Sequence, residues 1–330
     1  MECPRLKHFR RVNGDGTIGI CGHMILQPEF NTLEESDVWV VPLQSQFANN
    51  EWPSHCKRCK DTEESGRESI RNFSQKRHTD LVVKNTEYLT VGGVLDTYCN
   101  SACLSCSSTL STRIASLNKS PFVRDNYQAF TKFPQDRILQ LDINGGEPAY
   151  SKNYQKILQE LPPNLTYLRI NTNGHKVMPN IEKVLDKQVH VNVTLSLDGV
   201  GNVHDYVRWP VKWKNYTQTV DSYINLQKKY QNLTLDFWTT LSSMNLNNLI
   251  QIISYAKNKG IPHGYALLET PHCLSIKKTN WLTKRYQGNE AYVAIEDNND
   301  DELNKFLVKQ EKLRQISRIQ ELAVDNNDKI

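Results

Sequence analysis

The sequence predicts an α/β protein built as a partial barrel of parallel strands that stays open on one side. Three observations lead there. From His78 to Ser275, apolar runs alternate with amphipathic ones, the pattern of a parallel sheet with helices outside. There are about six such units, too few for a closed eight-fold barrel. Polar and glycine-bearing motifs follow the apolar runs, and in parallel α/β folds ligand-binding residues sit at the C-terminal ends of strands.

The bulk properties set the bounds. A chain of 330 residues can hold one large domain plus a smaller one. No apolar run approaches the length of a membrane helix. The N-terminus, MECPRLKHFRR, has no apolar signal region, so a cytoplasmic location is expected and sequons such as Asn164-Leu165-Thr166 are read as chance. A net charge of +4 demands neither a nucleic-acid nor a membrane partner. Eight cysteines in such a chain point to metal or redox chemistry rather than to disulfides. Three segments are expected: a Cys-rich module over 1–77, the partial barrel over 78–275, and an acidic linker with an amphipathic helix over 276–330.

The first segment carries Cys3, Cys21, Cys56 and Cys59. Asn13-Gly14-Asp15-Gly16 is a hairpin signal between short strands and sets Cys21 near the end of the returning strand. Cys56-x2-Cys59 follows Trp52 and Pro53 and opens a polar helical run, Asp61 to Lys76. Four thiolates suffice for one tetrahedral zinc or one 4Fe–4S cluster, and the residues alone leave both open. Gly14-x-Gly16-x-x-Gly19 matches the dinucleotide-binding pattern, but its flanks form a hairpin instead of a strand and a helix, so that reading is rejected.

In the central segment the strands are placed at Tyr88–Leu95, Arg137–Ile143, Leu165–Ile170, His190–Leu197, Leu233–Thr239 and Gly264–Leu268. Helices are placed between them at Leu104–Leu117, Asn153–Leu161, Pro179–Lys187, Tyr216–Gln231 and Leu246–Lys259. The first strand runs into DTYCNSACLSCS, which holds Cys99, Cys103 and Cys106 at Cys-x3-Cys-x2-Cys. Packing explains isolated buried cysteines but not three within eight residues. Zinc usually takes four ligands in separated pairs. Three local thiolates on a 4Fe–4S cube leave one iron open, which a reactive cluster needs and an electron-transfer cluster does not.

This spacing resembles the signature of the radical S-adenosylmethionine (SAM) enzymes, whose fold is a partial (β/α)6 barrel. The resemblance implies a 4Fe–4S cluster on Cys99, Cys103 and Cys106 whose open iron chelates S-adenosyl-L-methionine. It also implies one-electron cleavage of SAM to a 5′-deoxyadenosyl radical that takes hydrogen from a substrate. Gly145-Gly146-Glu147-Pro148 reads by itself as a strand-to-helix turn and resembles the GGE motif, which binds the SAM amino group. Asn171-Thr172-Asn173-Gly174 and Ser196-Leu197-Asp198-Gly199 are equally turn chemistry. The resemblance assigns Asn171, Asn173, Ser196 and Asp198 to ribose and methionyl contacts, and Arg208 to the SAM carboxylate. Thr239 to Asn245 would lie along adenine. Ser105, before the third cysteine, stands where many family members carry an aromatic that packs on adenine, which leaves that contact without its usual residue.

The order of Cys3, Cys21, Trp52-Pro53 and Cys56-x2-Cys59, followed by KDTEESGRESIRN, is similar to the twitch and SPASM modules, here N-terminal to the barrel. It implies an auxiliary Fe–S cluster on Cys3, Cys21, Cys56 and Cys59, with a zinc knuckle as the alternative. In the last segment Glu296 to Glu302 reads as an exposed linker. Leu303, Phe306, Leu307, Leu313, Ile316, Ile319 and Leu322 recur at helical spacing. Cys273, the eighth cysteine, is read as a buried thiol. The function expected is that of a radical SAM enzyme acting on a peptide or protein side chain, with a one-electron donor such as flavodoxin or ferredoxin. The alternatives are a small-molecule substrate, or a zinc-binding interaction or nucleic-acid module, which would leave the three rim motifs unexplained. No catalytic acid or base is legible.

Overall fold

The structure is a computed structural model that describes residues 1–82, 87–120, 124–276, 282–286, 289–293 and 301–315. In chain order its elements are α1 (Pro4–His8), β1 (Phe9–Val12), β2 (Ile18–Gly19), α2 (Leu33–Ala48), α3 (Lys57–Glu64), α4 (Ile70–Val82), β3 (Leu89–Val94), α5 (Thr112–Leu117), α6 (Tyr127–Thr131), β4 (Ile138–Asn144), α7 (Lys152–Gln159), β5 (Tyr167–Thr172), α8 (Ile181–Asp186), β6 (His190–Ser196), α9 (Asn202–Val207), α10 (Trp213–Lys229), β7 (Leu233–Leu241), α11 (Leu249–Lys259), β8 (His263–Leu267), β9 (Leu282–Tyr286), β10 (Asn289–Val293) and α12 (Asp301–Arg314).

One eight-stranded sheet, in the order β2-β1-β3-β4-β5-β6-β7-β8, holds the molecule together. All pairings from β1 to β8 are parallel; only β2 is antiparallel. Strands β3 to β8 follow one another in chain order. Right-handed crossovers then all fall on one side, which is the barrel-like arrangement and not the doubly wound one. The register confirms it. Leu141, Leu168, Val191 and Leu233 lie in one row and Ile143, Ile170, Val193 and Leu235 in the next. These pack with Tyr154, Ile157, Val184, Tyr216, Val220 and Ile252 from the helices into one core.

All six expected strands occur within two residues of their placement. Strand β1, expected only as one arm of a hairpin, is also a seventh parallel strand. It comes from the N-terminal segment and pairs along β3, Phe9 opposite Thr90 through Val12 opposite Gly93, so that segment extends the sheet. The expected hairpin is β1–β2, with Arg11 opposite Gly19. Helix α2 was also missed, and Pro42 stands inside its run. Its start was legible: the Thr32 side chain accepts from Glu35 N, while the Glu35 carboxylate accepts from Asn31 N, a variant of the capping box.

Two expected helices depart most from their placement. Asp61 to Lys76 is split into α3 and α4 at Gly66, which takes φ +73°. Leu104–Leu117 is helical only from Thr112, capped by Ser111. Ahead of it the backbone is drawn away, with Ala102 N bonding to Trp209 O and Leu104 N to Val207 O. In the last segment α12 matches the helical spacing of Leu303, Phe306 and Leu307. Asp301 and Glu302, expected as linker, instead open α12, while Ile316, Ile319, Leu322 and residues 296–300 of the acidic run lie outside the described residues.

Candidate functional site

Because β3 to β7 run parallel, their C-terminal ends share one rim, and each expected motif stands on it. The loop with Cys99, Cys103 and Cys106 follows β3, Gly145-Gly146-Glu147 follows β4, Asn173 follows β5 and Asp198 follows β6. The loop is clamped rather than loose. Cys99 N donates to Thr112 Oγ1 at 3.1 Å, Ser111 Oγ donates to Ser101 O at 2.6 Å, and Glu147 N donates to Tyr98 O at 2.6 Å. Asn173 Nδ2 donates to both Asn100 Oδ1 and Ser101 Oγ at 2.8 Å. Asp96 opens the loop, fully buried, accepting from Ser151 Oγ and from Tyr98 N. Burial pushes its carboxyl up to about 6.

The glycines serve this clamp. Gly145 and Gly146 take φ +82° and +56°. A Cβ on Gly146 would stand 2.5 Å from Tyr98 O, so only glycine lets the two loops meet so closely. Glu147 points inward and is 1 % exposed. Its carboxylate accepts from Thr172 Oγ1 at 2.7 Å, Asn173 N at 2.6 Å and Ala149 N at 3.1 Å. Burial raises its pKa against these bonds. Asp198 is likewise committed, to Arg208 and to Thr240 N. Three of the eight residues expected to touch a ligand therefore use their polar atoms to hold the rim together: Glu147, Asn173 and Asp198.

Unmet bonding capacity remains nearby. Asn171 donates to Asn144, but its Oδ1 is buried without a partner, as are Arg208 Nε and Ser243 Oγ. Ser196 sits half-buried at the end of β6. Unpaired buried polar atoms are rare in a finished interior and common where a ligand completes the set. Burial raises the pKa of all three thiols, that of Cys106 to about 12, and Cys103 adds to the rise at both neighbours. A bound cation reverses that balance, because a coordinating thiol is deprotonated outright. Three thiols on one clamped loop are the donor set that such a centre takes.

The sheet face opposite the helices is polar. Asp142 and Arg169 are cross-strand partners there, next to Asn192, and Asn192 Nδ2 donates to Asp236 Oδ1 at 2.7 Å. None of Asp142, Arg169, Asn192 or Asp236 was picked out from the sequence. Their signal is alternation: in β4, β5 and β6 every second residue is polar, as are Thr234 and Asp236 in β7, where a strand buried on both faces would be apolar throughout. His175 was missed too. It receives Asn100 Nδ2 at 2.5 Å and lies 3.2 Å from Tyr150 Oη, with burial lowering its pKa.

The second cysteine set also converges. Cys3, Cys21, Cys56 and Cys59 line one cavity together with His23, Arg5 and Arg71. Arg5 Nε and His23 N donate to the Cys21 sulfur at 3.3 and 3.5 Å. Burial pushes Cys3 up to about 11 and Cys56 to about 12, with the neighbouring thiols contributing. The string after Cys59 has a structural purpose. Glu63 accepts from Ser69 Oγ at 2.6 Å and pairs with Arg71 at 2.5 Å, pinning α4 onto α3 beside the cavity. Among the described residues no three His, Cys, Asp or Glu side chains close on a single-ion site. Cys273 packs in an apolar cluster with Leu104, Val207 and Leu274.

No helix among the described residues is long and apolar enough to cross a membrane. No protein-family model matches the sequence, and no curated protein does. Solved structures give distant similarities. One is anSMEcpe with bound AdoMet, at TM-score 0.39 and 17 % identity over 54 % of this chain and 52 % of that one, so the chain spans about half that protein's length. Another is SuiB of Streptococcus suis bound to S-adenosylmethionine, at TM-score 0.38 and 12 % identity over 94 % of this chain and 70 % of that one. A third is spore photoproduct lyase with bound AdoMet and a dinucleoside spore photoproduct, at TM-score 0.36 and 12 % identity over 68 % of this chain and 78 % of that one.

Proposed function

We propose that this chain is a radical SAM enzyme with an auxiliary Fe–S cluster. The observation that carries the proposal is the clamped loop of Cys99, Cys103 and Cys106 on the C-terminal rim of an open parallel sheet, held there by Gly145, Gly146, Glu147 and Asn173. Cys99, Cys103 and Cys106 would hold a 4Fe–4S cluster, which with S-adenosyl-L-methionine supplies one-electron cleavage of a carbon–sulfur bond. Gly145 and Gly146 let the backbone approach the amino group of SAM. Asn171 and Ser196 offer contacts for its ribose, and Arg208 offers a guanidinium to its carboxylate. Glu147 and Asp198 act one step back, the first by fixing Asn173 and the second by fixing Arg208. Asp142, Arg169 and Asp236 stand on the polar sheet face, where the substrate would lie.

Cys3, Cys21, Cys56 and Cys59 would hold the auxiliary cluster. The substrate class proposed is a peptide or protein side chain, following from the twitch-like cysteine order, and the electron would come from a flavodoxin or ferredoxin. The test is anaerobic reconstitution with iron and zinc quantified and EPR recorded with and without SAM. About eight irons per chain and a SAM-sensitive signal are expected for two clusters. About four irons with one zinc would make the N-terminal site structural. Zinc without iron would refute the radical chemistry.

A further inference from the structure

Two buried guanidinium groups lie beside the cysteine loop. Arg208 follows α9 and is 8 % exposed; Arg314 ends α12 and is 4 % exposed. Arg208 is paired with Asp198. Among the described residues Arg314 forms no ion pair, and its hydrogen bond runs from Nη1 to Tyr206 O at 3.2 Å. The Nε of each is buried without an acceptor. Tyr206 O, which Arg314 holds, adjoins Val207 O, which takes Leu104 N, and Leu104 follows Cys103 in the chain.

Packing, not a charge partner, puts Arg314 there. Leu303, Phe306 and Leu307 of α12 join the apolar cluster of Leu104, Tyr206 and Val207, and Leu104 is the residue after Cys103. Tyr206 Oη donates to Glu311 Oε1 at 2.8 Å, one turn before Arg314. Arg208 thus has Asp198 as its carboxylate, whereas Arg314 has none among the described residues. Burying an unpaired guanidinium is costly unless an anion balances it. A cluster on three thiolates is such an anion, because the thiolates bring more negative charge than its core carries positive.

We infer that Arg314, delivered by the C-terminal helix, is a positioning residue for the cluster on Cys99, Cys103 and Cys106, and that its charge eases the one-electron reduction of that cluster. The inference rests on the function proposed above. It assigns α12 a part in the cofactor site.

The test uses the full chain, reconstituted anaerobically as wild type, Arg314→Gln, Arg314→Lys and Leu307→Ser. Iron is counted, the rim cluster is titrated with dithionite by EPR in the absence of SAM, and SAM affinity is measured by calorimetry. Arg314→Gln should keep its iron while its reduction equilibrium falls about tenfold, ~59 mV more negative for one electron. Arg314→Lys should recover most of the shift. Leu307→Ser, which releases the helix from outside the site, should move the potential the same way. An unchanged potential in Arg314→Gln or Leu307→Ser overturns the inference. So does weaker SAM binding at unchanged potential, which would give Arg314 to the SAM carboxylate. A wild-type protein without iron refutes the proposed function and this inference together, so the wild-type iron count tells the two failures apart.

Discussion

Glu147 shows how a residue that looks like a ligand contact can be a bracket. Its carboxylate accepts three donors from the β4 and β5 loops, so a neutral amide that offers its own N–H would face donors instead of acceptors. Glu147→Gln should destabilise the fold by about 1–3 kcal/mol in urea denaturation, the cost of leaving buried polar groups unmatched. Asp96 gives a pH signature. Its carboxyl stands at about 6 when folded against 3.8 as the ordinary value, so the folded state retains a proton that the unfolded state has lost. Stability from this group is therefore present at low pH and lost as pH rises from about 3.8 through about 6, at up to roughly 1.4 kcal/mol per pH unit. Measured against Asp96→Asn, the wild type should gain stability on acidification across that window and show a constant difference above it.

At the scale of elements, the two glycines join the β3 and β4 loops. Gly146→Ala would put a methyl 2.5 Å from the Tyr98 carbonyl and force φ +56° on a residue with a side chain. The loop must then move away from the rim. Iron retained at Cys99, Cys103 and Cys106 should fall together with a loss of about 1–3 kcal/mol in stability, whereas Gly201→Ala, where a Cβ meets open space, should keep its iron. The motifs were legible in the sequence because turn chemistry and thiol spacing are local. The bracing was not. Nothing near Asn173 in the chain says that its side chain will bond to Asn100 and Ser101, over seventy residues earlier.

For the whole molecule, the N-terminal segment is part of the sheet through β1, so its four cysteines are tied to the same framework as the rim. Replacing both Cys56 and Cys59 by Ala should cut iron from about eight to about four per chain and leave the SAM-sensitive EPR signal in place. Full iron in that double variant would dismiss the auxiliary cluster.

The sequence by itself determined what depends on neighbours along the chain: six strands and their order, the hairpin at Asn13 to Gly16, and the three-cysteine loop with the polar motifs that follow β4, β5 and β6. Periodicity, turn residues and thiol spacing are short-range properties and survive in a linear reading. Only the tertiary structure decided the rest. It placed β1 beside β3 and turned Glu147 and Asp198 inward. It set Arg314 on the Tyr206 carbonyl, beside the Val207 carbonyl that holds Leu104. Those outcomes follow from pairing and burial between distant segments, which local pattern does not encode.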